Sequence, residues 1–221
     1  MGMTDRIRGV VFDMNGTIVD DIPYHFEAWR TLAEELGVVL DDATLQTFNG
    51  LKNEDILAKL AGPSLTADRA AQLIEKKETT YRAMYRPHLA LVAGARELFE
   101  HLKAASIPVA FASSAPPENR AMLIDGLALA DYVRVVVATE HLPGKPEPHA
   151  FLEAAHQLGV DPTTCLAFED AVSGVVAAAR AGMLVGAVTT NNPAQTLVAA
   201  GASFAVTDFT VIPPEIASRL F

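Results

Sequence analysis

Short apolar runs alternating with helical patterns constrain this chain more than any other feature. Ile7–Phe12, Ile107–Ala112, Tyr132–Ala138, Thr164–Phe168 and Leu184–Val188 each read as a strand, with a weaker run at Phe204–Val206. These runs are near-continuously apolar instead of alternating with polar residues, the pattern of strands buried on both faces. Between them, Ala93–Ala104, Glu118–Gly126, Pro148–Leu158, Val172–Ala181 and Ala194–Ala200 predict helices. Gly159 and Gly182 follow helical patterns and precede strands, where a C-cap glycine belongs. The alternation predicts a parallel sheet covered by helices on both faces.

One stretch breaks the alternation. From Asp20 to Ala90 there is no strand pattern, and Tyr24–Leu36, Asp42–Phe48, Asn53–Leu60 and Thr66–Tyr85 all predict helices. Pro23 and Pro87 stand near the edges of this stretch as stiff points beside a hinge. Residues 20–90 therefore read as a helical subdomain inserted after the first strand, with 1–19 and 91–221 forming an α/β core. The plainer alternative is a helical excursion packed rigidly on the sheet. The length of 221 residues fits one core plus an appendage at roughly 150 residues per domain.

Composition removes several function classes. A net charge of −10 without basic clusters argues against nucleic acid and anionic membrane surfaces. The longest apolar tract, Val175–Val188, is interrupted by Arg180 and falls short of the roughly 18 residues of a membrane span. Cys165 is the single cysteine, which excludes a disulfide framework and a cysteine metal cluster. Met1–Arg8 is polar and Gly9–Phe12 is too short for the apolar stretch of a signal peptide, so a cytoplasmic location is expected.

Ligands of open parallel sheets bind beyond the carboxyl ends of the strands. The first strand delivers Asp13, Asn15, Gly16 and Thr17, and the second Ser113 and Ser114. Gly144-Lys145-Pro146 follows the third strand, and Glu169-Asp170 with Ser173-Gly174 follows the fourth. Carboxylates, hydroxyls, one lysine and glycines on one rim suit a divalent metal and a phosphate, through hard oxygen ligands and anion donors. Each residue alone has a plainer reading: Asp13 and Ser113 as turn caps, Lys145 as a solvated loop residue, Glu169-Asp170 as charge for the first turn of a helix.

Taken in order, these segments resemble the motifs of the haloacid-dehalogenase-type phosphotransferases, in their β-phosphoglucomutase-like branch. The first motif is Val10-Val11-Phe12-Asp13-Met14-Asn15-Gly16-Thr17 and the second is the serine of Phe111-Ala112-Ser113-Ser114. The third is the lysine of Gly144-Lys145-Pro146-Glu147-Pro148 and the fourth is Phe168-Glu169-Asp170-Ala171-Val172-Ser173-Gly174. The resemblance covers essentially the whole chain and implies a Rossmann-like core with an all-helical cap. It implies Asp13 as the nucleophile that forms an aspartyl phosphate. It implies Mg2+ held by Asp13, the main-chain carbonyl of Asn15 and Asp170, with Glu169 ordering metal-bound water. Ser113 and Lys145 would bind the phosphoryl oxygens, with Met14, Gly16, Thr17, Ser114 and Asn119 as further phosphate contacts. The implied partner is a small phosphorylated substrate, and the implied assembly is a monomer.

Two departures matter. Asn15 stands where this branch has the aspartate that protonates the leaving group and activates water. An amide cannot exchange that proton, and such help is worth about 10²–10⁴-fold. Three readings stand: a phosphohydrolase for good leaving groups or with another base, an Asp→Asn replacement made to trap a complex, or a protein whose catalysis is altered or lost. The Asn15-Gly16 pair can also deamidate to regenerate some aspartate.

The second departure is in the cap. Tyr24-His25-Phe26-Glu27-Ala28-Trp29 matches the branch's Tyr-His…Trp element, implying that His25 approaches the leaving group; a packed helix histidine is the plainer reading. The branch's Lys-Gly…Arg phosphate grip becomes Asn49-Gly50-Leu51-Lys52-Asn53. Lys52 and Lys77, with Trp29, remain as candidate substrate contacts, although the plainer reading of both lysines is solvent-facing. A mutase must anchor two phosphates and shuttle protons, so the expectation is a hydrolase, with a mutase or a catalytically impaired phosphoester-binding relic as alternatives.

Overall fold

The computed structural model describes residues 6–62 and 65–221. Residues 1–5, most of the polar lead noted above, lie outside the described residues.

The strands are β1 (Gly9–Phe12), β2 (Val109–Phe111), β3 (Val135–Val136), β4 (Cys165–Glu169), β5 (Leu184–Val188) and β6 (Phe204–Val206). The helices are α1 (Ile22–Glu35), α2 (Asp42–Gln46), α3 (Asn53–Ala61), α4 (Ala67–Tyr85), α5 (Ala95–Ala104), α6 (Pro117–Gly126), α7 (His149–Leu158), α8 (Val172–Arg180), α9 (Ala194–Ala199) and α10 (Pro214–Leu220). Two compact units result, Met1–Asp20 with Ala90–Phe221, and Asp21–Leu89.

In the first unit the strands form one six-stranded sheet of order β3-β2-β1-β4-β5-β6. Every pairing is parallel. The apolar runs explain why: each residue of β1 and β4 is buried, which requires cover on both sheet faces. Phe12 pairs with Phe111 on one side and Phe168 on the other, so β1, β2 and β4 end level. The Phe12 and Phe168 rings stack 5.2 Å apart beneath that level end. Gly159 closes α7 in the left-handed region at φ 74°, as the sequence predicts.

Two expectations are corrected. The run Tyr132–Ala138 forms a ladder only at Val135–Val136, because this edge strand has one neighbour, β2, that is itself three residues long. Helix α10 was not predicted; its seven residues after Pro213 are too few to show a period, although Ile216 and Leu220 are buried.

The second unit is helical. Its core gathers Trp29, Leu32, Leu45, Phe48, Ile56, Leu57 and Leu73. Full burial of each such side chain contributes roughly 1.5–3 kcal/mol. Helix α4 buries Leu73, Lys77, Glu78, Tyr81 and Tyr85 on one stripe, so two charged residues are carried into the interior.

Candidate active site

The level strand ends gather the first unit's polar residues. Asp13, one residue past β1, donates its main-chain N–H to the Phe168 carbonyl at 3.0 Å, which fixes it beside the end of β4. Its side chain is 9% exposed. Lys145 Nζ lies 2.5 Å from Asp13 Oδ1 and 2.5 Å from Glu169 Oε1, bridging the first, third and fourth motifs. Glu169 Oε2 accepts from the main-chain N–H groups of Asp170 and Ala171 at 2.9 and 2.8 Å. The carboxylate thus caps the chain entering α8 and pairs with Lys145 as well. Gly174 makes room for it: a Cβ there would lie 1.7 Å from Glu169 Oε1.

Asp170 is 1% exposed and accepts from Thr17 Oγ1 on Oδ1 at 2.9 Å. Gly16 lies against it at φ +79°, where a Cβ would sit 2.3 Å from Asp170 Oδ2. Here glycine is required by both the backbone and the space. Ser113 Oγ lies 3.5 Å from Asn15 Oδ1 and accepts from the Ala115 N–H at 3.2 Å, while the Thr139 hydroxyl donates to the Ser113 carbonyl at 2.9 Å.

The electrostatics follow from this crowding. Burial pushes Asp170 well above the usual carboxylate range, reinforced by the charges of Glu169 and Asp13 and opposed by its hydrogen bonds from Thr17 and Asn191. Burial disfavours the Lys145 ammonium, yet Asp13 and Glu169 outweigh it and hold the lysine above its ordinary value. Three carboxyl groups face one ammonium in a buried place, and the raised Asp170 registers their mutual repulsion, which a divalent cation would relieve. The donor set fits magnesium: two carboxylates, Asp13 and Asp170, and the nearby Asn15 main chain. Among the described residues no three His, Cys, Asp or Glu side chains form a ready metal cluster, so a main-chain carbonyl would have to complete the set. Burial pushes the Cys165 thiol up to about 12, which removes it as a nucleophile.

The helical unit holds a second polar cluster. Lys77, 2% exposed, places Nζ 2.7 Å from His25 Nδ1 and 2.8 Å from Glu78 Oε1. An ammonium has only donors, so His25 Nδ1 accepts. The His25 ring stacks on Tyr81 with centroids 3.7 Å apart, and the Tyr81 hydroxyl donates to Asp21. Burial, with the Lys77 charge, pushes His25 down to about 3 against the opposing pull of Glu78. Burial also lowers Lys77 below its ordinary value.

Comparison with known proteins decides the family. The family model described as haloacid dehalogenase-like hydrolase matches residues 7–182. The chain belongs to the haloacid dehalogenase-like hydrolases. It is 31% identical over 195 residues to the beta-phosphoglucomutase of Bacillus subtilis, covering 85% of each chain. It is 31% identical to the fructose-1-phosphate phosphatase YqaB of Escherichia coli, covering 82% of this chain and 96% of that one. The crystal structure of a HAD hydrolase, family IA, variant 3, of Entamoeba histolytica superposes with a TM-score of 0.88 at 29% identity, covering 97% and 99%.

In this hydrolase, Asp13, Asn15, Ser113, Lys145, Glu169 and Asp170 lie together at the strand ends. Thr17 differs from expectation: its hydroxyl is directed to Asp170. Met14 is fully buried, and its carbonyl accepts from the N–H groups of Thr17, Ile18 and Val19. Ser114 is half-buried, and Asn119 is fully buried in the first turn of α6. Trp29 is part of the helical core, edge-on to Phe48, and Lys52 is the N-cap residue of α3. The solvent-facing reading of Lys77 is overturned: it shares the stripe Leu73, Lys77, Tyr81, Tyr85, whose four-residue spacing was the available signal. Sequence reasoning missed Glu78, Asp21 and Tyr81, the loop Thr190-Asn191-Asn192, and Arg120, which joins Ala115 O to Glu140 at 2.7 and 2.6 Å.

Proposed function

We propose that the chain is a cytoplasmic, magnesium-dependent phosphohydrolase acting on a small phosphorylated metabolite, a sugar phosphate being the favoured class. The observation that carries the reading is Asp13 at the end of β1, 2.5 Å from a buried lysine and surrounded by the other motif residues. The names of the relatives, a phosphoglucomutase and a sugar phosphatase, support the substrate class.

Asp13 attacks phosphorus, the ester P–O bond breaks, and the leaving oxygen departs with the bonding pair, to be protonated by solvent water. A second water then attacks the phosphorus of the aspartyl phosphate; the acyl–phosphate bond breaks, the carboxylate is regenerated, and the protons of that water pass to the released phosphate and to solvent. Lys145 and Ser113 neutralise and orient the phosphoryl oxygens, assisted by main-chain N–H groups of the Met14–Thr17 loop and by Ser114 and Asn119. Asp13, the Asn15 carbonyl and Asp170 would hold Mg2+, with Glu169 ordering its water. Bound there, the ion offsets the surplus charge and stabilises charge on the transferring group. Trp29 and Lys77 are spent within the helical unit itself, so His25 and Lys52 are the substrate contacts assigned to the cap.

Asn15 carries no exchangeable proton, and His25 at about 3 is too weak a base to replace a carboxylate shuttle. The favoured substrates are therefore esters whose alcohol departs without full protonation. A mutase is disfavoured on the same ground, and also because Glu78 already neutralises Lys77.

The test is a leaving-group series with Mg2+, from aryl to alkyl monophosphates, on the protein, Asn15→Asp and Asp13→Ala, with peptide mass spectrometry confirming intact Asn15. The protein is expected to turn over aryl esters. Asn15→Asp is expected to raise alkyl-ester turnover by about 10²–10⁴-fold. Asp13→Ala should abolish both. No turnover in any form sinks the hydrolase reading; turnover only in Asn15→Asp establishes an impaired site.

A further inference from the structure

The loop after β5 belongs to none of the four motifs, yet it touches two of them. Thr190 Oγ1 donates to the Gly16 carbonyl. Asn191 Nδ2 donates to Asp170 Oδ2 at 3.1 Å and to Thr190 Oγ1 at 3.2 Å. Asn192 Nδ2 donates to the Asp170 main-chain carbonyl at 2.9 Å. Because β5 lies beside β4 and β4 beside β1, this loop reaches one strand across to Asp170 and two strands across to Gly16.

The contacts restrict Asp170 in a specific way. Each of its carboxylate oxygens receives a donor from a different loop, Thr17 on Oδ1 and Asn191 on Oδ2. Rotation of the carboxylate would break both bonds inside a site where it is 1% exposed. The Asn191 amide is confined too, since a Cβ on Gly16 would lie 2.7 Å from its Nδ2. A carboxylate only accepts, so the NH2 end of Asn191 must face it.

We propose that Asn191 is a positioning residue that holds the Asp170 carboxylate in its ligating orientation, with Thr190 anchoring the same loop to the Asp13-bearing loop through Gly16. This rests on the reading of Asp170 as a magnesium ligand. Partners of this kind set metal affinity because they fix the ligand's direction before the ion arrives, and their loss costs about 10–100-fold.

The test is isothermal titration of the whole protein with Mg2+ alone, so that no turnover is needed. Asn191→Leu keeps the size and removes the donor, and Asn191→Ala removes both. Each is expected to raise the Mg2+ dissociation constant by about 10–100-fold. Asn191→His, which restores an N–H near the same place, is expected to recover most of the affinity. A merely structural residue would lower the melting temperature and leave Mg2+ binding unchanged, and that result overturns the proposal. Asp170→Asn separates the two failures. If it weakens Mg2+ binding while Asn191→Leu and Asn191→Ala do not, the positioning role alone is wrong. If the protein binds no Mg2+, or Asp170→Asn leaves binding unaltered, the magnesium reading falls and takes the proposal with it.

Discussion

Lys145 and Lys77 are both buried ammonium groups, and the two units treat them in opposite ways. Lys145 has Asp13 and Glu169 each at 2.5 Å, and its pKa is raised despite burial. Lys77 has Glu78 at 2.8 Å and a neutral imidazole at 2.7 Å, and its pKa is lowered. The cluster is balanced once Lys77 is counted in it, Glu78 and Asp21 against Lys77 and Arg82. Around Lys145 the carboxylates outnumber the ammonium, Asp13 and Glu169 against one lysine. A balanced buried network needs nothing further, whereas a surplus one is completed by a ligand.

Removing each ammonium breaks the comparison most directly. Lys145→Met and Lys77→Met each strand a buried carboxylate and are expected to cost about 3–5 kcal/mol of unfolding free energy. Mg2+ should recover part of the loss in Lys145→Met and none in Lys77→Met. Denaturant titration with and without Mg2+ checks this, and an equal response in both variants would erase the distinction. Lys145→Met should also lower turnover by about 10²–10³-fold, since it removes the cation beside Asp13, the proposed nucleophile.

Acid sharpens the contrast next. His25 is pushed from 6.5 to about 3, so between those values the unfolded chain binds a proton that the folded chain refuses. Stability contributed at neutral pH is therefore lost as pH falls through 6.5, by about 2 kcal/mol at pH 5. Asp170 runs the other way: its raised pKa favours the folded state at low pH, and that contribution fades as pH rises. The difference in unfolding free energy between the protein and His25→Gln, measured at pH 7 and pH 5, isolates the imidazole. A difference that does not change with pH would mean that His25 titrates normally.

The two networks also differ in how far they could be read from the sequence. Asp13, Ser113, Lys145 and Asp170 each follow an apolar run, and a parallel sheet brings such positions to one edge whatever their separation in the chain. Nothing comparable announces Glu78. It follows Lys77 directly, and adjacent residues on a helix do not ordinarily face each other. Their pairing arises because the stripe of α4 is wide enough to bury both. Thr190, Asn191 and Asn192 read only as a polar turn. Their partners are 174, 21 and 22 residues away, a relation fixed by strand order and invisible to local pattern. The seven-residue α10 failed for a simpler reason, too few residues to carry a period, and β3 was legible but over-extended because its neighbour β2 is three residues long.

The smallest effect tests whether the balanced network stands alone. Asn53 Nδ2 donates to Glu78 Oε1 at 2.8 Å, the same oxygen that accepts from Lys77 at 2.8 Å. Asn53 opens α3 and is half-buried, so water can replace part of what its amide supplies. A hydrogen bond to a charged group contributes about 1.5–3 kcal/mol, and partial solvent access places Asn53→Ala at the low end, about 1.5 kcal/mol. For a chain of this length that is a fall of about 3–6 °C in melting temperature. Glu78 keeps its ammonium, so Mg2+ affinity and turnover at the strand ends should be unchanged. A shift in Mg2+ affinity in Asn53→Ala would show that the two lysine networks are coupled and that charge balance around Lys77 serves the catalytic cluster as well.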